Sequence, residues 1–69
     1  MRFTAAITKE DDWFVARCLE VDIASQGPTI EESLSNLREA LELYYEDEPA
    51  PEVAPPIIAP FEVKMARVA

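Results

Sequence analysis

Ser25-Gln-Gly-Pro-Thr-Ile-Glu-Glu-Ser-Leu-Ser-Asn-Leu-Arg-Glu-Ala-Leu-Glu-Leu-Tyr-Tyr-Glu-Asp-Glu48 is the stretch that decides the fold. It reads as a strand end, a glycine turn and one long helix over residues 30–47. Gly27 can take a positive φ without steric cost, and Pro28 sets the next φ near about −65°. Thr29 is a suitable N-cap. Glu32, three residues on, completes a capping box that satisfies two otherwise orphan backbone donors. Glu31 and Glu32 lie where the helix dipole favours negative charge.

At about 100° per residue the helix has two faces. Ile30, Leu34, Leu37, Leu41, Tyr44 and Tyr45 form an apolar stripe with Ser33 and Ala40 at its margin. That stripe is expected to be buried. Glu31, Glu32, Ser35, Arg38, Glu39, Glu42 and Glu46 form the opposite, solvated face. Leu43 breaks the pattern beside Asn36 and is either ordinary surface or a hydrophobic anchor for a partner.

Upstream, Phe3, Ala5 and Ile7 alternate with more polar neighbours over Arg2–Lys9, the pattern of a half-buried strand. Glu10-Asp11-Asp12 is a charged turn. Trp13–Cys18 is apolar on both parities, Trp13 and Val15 against Phe14, Ala16 and Cys18, as in a central strand. Leu19–Asp22 is a short connection to a third strand, Ile23–Gln26. These segments are joined too tightly for helical crossovers, so the three strands form an antiparallel meander.

Downstream, Pro49, Pro51, Pro55, Pro56 and Pro60 forbid helix and central strand, leaving an extended spacer over 49–60. Phe61, Val63 and Met65 then alternate with Glu62, Lys64 and Ala66, which predicts a fourth strand over 61–69. The expected architecture is α+β: a three-stranded antiparallel meander plus a C-terminal strand, one helix on one face, order β-β-β-α-β. A single domain spans 1–69, with 1–48 as its core.

Composition narrows the function. Six Lys and Arg oppose fourteen Asp and Glu, a net charge of −8. That disfavours nucleic acid and anionic lipid and favours a basic protein partner or simple solubility. Cys18 is the single cysteine, so no internal disulfide forms and a reducing, cytoplasmic setting is expected. No apolar run approaches the ~20 residues of a membrane span. The chain contains no histidine, removing the commonest general base and zinc ligand. One cysteine without a histidine gives no nucleophile–base pair, and a single glycine gives no phosphate-cradling loop. The acidic turn lacks calcium-loop spacing. No catalytic, cofactor-binding or metal-ligating residue is assigned.

One resemblance stands out. Trp13-x-Val-Ala-Arg-Cys-Leu-Glu, followed by Ala24-Ser-Gln-Gly-Pro-Thr-x-Glu-Glu-Ser-x-x-Asn36-Leu-x-Glu-Ala40-Leu-Glu-Leu-Tyr, resembles the HicB family of antitoxins over about residues 1–48. Its most specific part is Ser-Gln-Gly-x-Thr-x-Glu-Glu with Asn36, Glu39 and Ala40 at the family spacing. Leu19 stands where the family usually has proline. The resemblance implies a partial RNase H-like fold and neutralisation of a small basic mRNA-cleaving toxin, HicA, by binding over its catalytic surface. Family members carry a DNA-binding segment after this domain. The sequence shows none through Ala69, so direct DNA binding is not expected.

The resulting expectation is a non-catalytic binding domain with Trp13, Glu39, Glu42, Leu43 and Glu46 as partner-contact residues. The alternative is a free-standing homo-oligomeric module with an unknown ligand. A short chain with one helix covers only one sheet face, so a homo-oligomer is expected with Trp13, Val15, Phe61, Val63 and Met65 at its interface.

Overall fold

The computed structural model describes residues 1–67. Three strands, β1 (Ala5–Glu10), β2 (Trp13–Cys18) and β3 (Ala24–Gly27), precede one helix, α1 (Ile30–Tyr44). The strands form an antiparallel sheet in the order β1-β2-β3, so β2 is central as its double apolar parity requires. The β1–β2 register places Ile7 opposite Ala16 and Glu10 opposite Trp13, leaving a two-residue turn at Asp11-Asp12. Asp11 takes φ 56°, a left-handed conformation that Asp tolerates better than most residues and that matches the twist of a tight hairpin. The α+β architecture therefore matches expectation in its meander and its helix.

The register also identifies the covered sheet face. Ala16 pairs with Ile7 on one side and Ser25 on the other, and Phe14 pairs with Gly27. Side chains alternate along a strand, so Ala5, Ile7, Phe14, Ala16, Cys18, Ser25 and Gly27 share one face. Ala16 and Cys18 are buried there against Leu37 and Leu41, with Phe3, Ala5, Ile7, Val21, Ile23 and Tyr45 packed around them. Trp13, Val15 and Arg17 point the other way.

The N-cap forms at Thr29 as expected, but of the two capping-box bonds only the one from the Glu32 N–H is made. Thr29 is extended, and its Oγ1 accepts a hydrogen bond of 3.0 Å from the Glu32 N–H. Gly27 has a different role from the one its turn position suggests: it has no positive φ. A Cβ there would lie 2.7 Å from the Ser33 nitrogen and 2.9 Å from the Glu32 carbonyl carbon. Glycine is needed because the first turn of α1 rests directly on β3. Ser33, placed at the margin by periodicity, is fully buried at this contact, and its hydroxyl donates to the Ile30 carbonyl at 2.8 Å.

Three further expectations are corrected. The helix ends at Tyr44 with Tyr45 as its C-cap, not at residue 47. The final turn has no basic residue, while Glu46, Asp47 and Glu48 oppose the negative end of the dipole and Pro49 disfavours helical backbone before it. The buried stripe is shorter than predicted. Leu37 and Leu41 are buried, but Ile30, Leu34 and Tyr44 are exposed. Ile30 and Tyr44 stand in the first and last positions of a helix that overlies four- and six-residue strands, and Leu34 faces the side where the sheet is least covered. The C-terminal strand is not formed within the chain, since Phe61–Arg67 pairs with none of the three strands. The prolines before it disfavour helix and ladder pairing up to Pro60. Val68 and Ala69 lie outside the described residues.

The start of β1 is tied to the β2–β3 connection. Thr4 donates its N–H to Glu20 Oε1 at 2.8 Å, and its carbonyl accepts from the Leu19 N–H at 2.9 Å. The Cys18 thiol lies 3.5 Å from the same Glu20 oxygen as a weak donor. The Thr4 N–H bond is the main reason the Glu20 carboxyl sits below its ordinary pKa, partly opposed by desolvation.

Leu37→Ala should lower stability by about 2–5 kcal/mol through loss of packing and the cavity left behind. A domain this small has little reserve, so the thermal transition should broaden or vanish. Gly27→Ala should cost about 1–3 kcal/mol by driving a methyl into the backbone of Ser33. An unchanged denaturant midpoint in Gly27→Ala would show that α1 does not rest on β3. The Glu20 contribution is present above the ordinary carboxylate range and is lost as pH falls through it towards the lowered folded value. Glu20→Gln should therefore flatten the decline of stability below about pH 5, read from urea midpoints at successive pH values.

Candidate functional site

Three surfaces are built on this frame. The first is the outward face of α1, where Glu31, Glu32, Glu39 and Glu42 accompany one cation, Arg38. Glu39, Glu42 and Leu43 are exposed and span roughly 100° of helical arc, and Glu46, also exposed, follows just beyond the C-cap. Leu43 is 69% exposed and sits at the edge of this face towards β3. Nearby, the Asn36 amide donates to the Gln26 carbonyl at 2.9 Å, binding the helix to the β3 edge. Asn36 therefore has a structural contact of its own, one that positions the acidic face.

The second surface is the open side of the sheet, made by Ala6, Thr8, Glu10, Trp13, Val15, Arg17, Ala24 and Gln26. Trp13 is 48% exposed there and Val15 is half-buried. The expected partner residues are thus divided: Trp13 lies on the sheet face opposite the one α1 covers, while Glu39, Glu42, Leu43 and Glu46 lie on the far side of the helix. One compact partner surface cannot cover both sets. Sequence spacing places a residue on an element but does not say which sheet face the helix will cover.

The third surface is a groove missed by periodicity. α1 packs chiefly over β3 and β2 and touches β1 least. The gap on the β1 side is a groove of about 550 Å³. Phe3 and Ala5 form one wall, Leu34, Leu37, Leu41 and Tyr45 the other. Arg38, Glu42 and Glu48 stand at the rim, and Ala50 and Pro51 close one end. Phe3 stacks on Tyr45 with ring centroids 6.2 Å apart, and Tyr44 meets Tyr45 edge-on at 4.8 Å. Burial pushes the Tyr45 phenol above its ordinary pKa, with Tyr44 adding to the effect. The only trace of this groove in the sequence is that Leu34, Leu41 and Tyr45 lie on the same side of the helical stripe.

Among the described residues, no three His, Cys, Asp or Glu side chains converge to hold a metal ion. Glu10, Asp11 and Asp12 sit at the hairpin end, and Cys18 is a free thiol buried in the core. Phe61, Val63 and Met65 are exposed and unpaired. Among the described residues, no helix is long and apolar enough to cross a membrane.

A family model described as a family of unknown function, DUF7387, matches residues 4–62. The match takes in the sheet, the helix and the proline spacer. No curated protein and no solved structure matches the chain.

Proposed function

This chain belongs to the family of unknown function DUF7387, and we propose that it is a non-catalytic, cytoplasmic protein-binding domain of the HicB antitoxin kind. Its partner would be a small basic RNA-cleaving toxin, covered at its catalytic surface by the outward face of α1. The observation that carries this reading is the pairing of exposed glutamates with one exposed apolar anchor: Glu39, Glu42 and Glu46 around Leu43. Clustered carboxylates steer a cationic partner, and a central apolar contact holds it once docked. The Ser-Gln-Gly-x-Thr-x-Glu-Glu resemblance supplies the partner class. Its residues here make the Gly27 contact and the Thr29 cap that aim the acidic face outward.

A second reading, a free-standing homo-oligomeric module, draws on the other side of the molecule. Trp13 and Val15 place apolar surface on a sheet face that no element among the described residues covers. The two readings use opposite faces, so surface variants separate them.

Reversing Glu39 and Glu42 to lysine should slow association with a HicA-type toxin about tenfold or more at low salt, with the difference shrinking as ionic strength rises. Leu43→Ala should act mainly on dissociation. Stopped-flow kinetics with purified toxin, alongside protection of a reporter mRNA from cleavage, reads both effects. Kinetics indifferent to the reversal and to salt, or an absence of toxin protection, would overturn the antitoxin reading.

A further inference from the structure

We infer that the apolar groove between α1 and β1 is the seat for the C-terminal segment, residues 57–67, of a second copy of this chain. The two copies exchange these segments reciprocally. The inference does not rest on the antitoxin reading: the two share Glu42 at the groove rim, but Glu39, Glu46 and Leu43 play no part here.

The segment is apolar and uncovered in its own chain. Ile57 is 91% exposed and Phe61 84%, and Ile58, Val63 and Met65 are also open to solvent. With its segment held out, the chain has a radius of gyration of 14.8 Å, against about 11 Å for a compact chain of this length. The groove offers what these side chains lack. Its walls, Phe3 and Ala5 facing Leu34, Leu37 and Leu41, are apolar, and at Ala5 it meets the start of β1, an edge strand.

Backbone and length fit as well. An edge strand presents unpaired N–H and C=O groups to any extended segment laid beside it. Residues 61–67 contain no proline, so whichever alternate N–H groups face β1 can donate to such a ladder. β1 has six residues and the described part of the segment after Pro60 has seven, both close to 20 Å when extended. Laid against β1, Phe61, Val63 and Met65 all point to one side, the side of the groove. The spacer before it, residues 49–56, spans roughly 25 Å at about 3.1 Å per residue in polyproline conformation and reaches a neighbouring subunit.

Charge favours the same placement. Residues 1–60 carry four Lys and Arg against thirteen Asp and Glu, whereas residues 61–69 carry Lys64 and Arg67 against Glu62 alone. The segment is net positive in a chain of net −8, and two of the three charged residues at the groove rim are Glu42 and Glu48. A reciprocal exchange also closes with two-fold symmetry and leaves neither β1 edge open.

The test is molar mass by light scattering on the full chain at tens of micromolar, together with cysteine cross-linking. The full chain should run at twice its 7.8 kDa monomer mass. Phe61→Asp with Val63→Asp should run as a monomer with its helical circular dichroism kept, because neither residue touches the core. Trp13→Asp, on the opposite sheet face, should stay dimeric. In a mixture of Leu34→Cys and Val63→Cys chains, oxidation should link one chain to the other. A monomeric full chain overturns the inference, as does a dimer that survives the Phe61 and Val63 changes or dissociates in Trp13→Asp. So does a Leu34→Cys/Val63→Cys double variant that closes its disulfide within one chain, which would seat the segment in its own groove.

Discussion

The structure depends on how closely the first turn of α1 approaches β3. At Gly27 the two backbones lie nearer than any side chain would allow, and Ser33 fills the contact with its hydroxyl turned back onto the helix. Such an approach is worth having because dispersion falls off steeply with distance, and a thin sheet has few other atoms to offer a helix. It is held on both sides: by the Thr29 cap before Ser33 and by the Asn36 amide on the Gln26 carbonyl after it. Leu37 and Leu41 then meet Ala16 and Cys18, whose small side chains let the helix settle onto the sheet.

Anchoring the helix over β3 carries a consequence at the other edge. A fifteen-residue helix is narrower than three strands, so cover gained at β3 is lost at β1. Leu34 and the ring of Tyr45 are left lining a groove, although their periodicity marks them as core. The exposed apolar segment after Pro60 and this uncovered strip are therefore two sides of one imbalance. In a chain of 69 residues, neither is covered by the core that 1–48 supplies.

Charge sorts the remaining surface. The carboxylates collect on the solvent side of α1 and beyond its C-terminus, where they shorten the helix. They also disfavour contact between two copies through their helices, by like-charge repulsion. The acidic face remains open to a cationic partner, while the sheet edge and groove suit apolar contact. Acidic and apolar surface thus lie largely on different sides of the molecule.

Much of this could be read from residues alone. Alternation over Arg2–Lys9, the double apolar parity of Trp13–Cys18, the short connections between strands, and Thr29 with Glu32 at a helix start are local signals. The forces behind them act within a few residues, so the meander, the central place of β2 and the N-cap follow from the sequence. The acidic character of the outward helix face is equally local. What tertiary packing decided was each matter that depends on where the helix axis falls over the sheet. Ser33 became the most buried residue of α1 and Leu34 an exposed one, though periodicity ranks them the other way. Gly27 proved necessary for distance rather than for dihedral freedom. Trp13 and Glu39 ended on opposite sides, and the segment after Pro60 found no partner strand in its own chain. Periodicity fixes the angle at which a side chain leaves its helix, but burial depends on what stands opposite, and that is set by contacts between residues far apart in sequence.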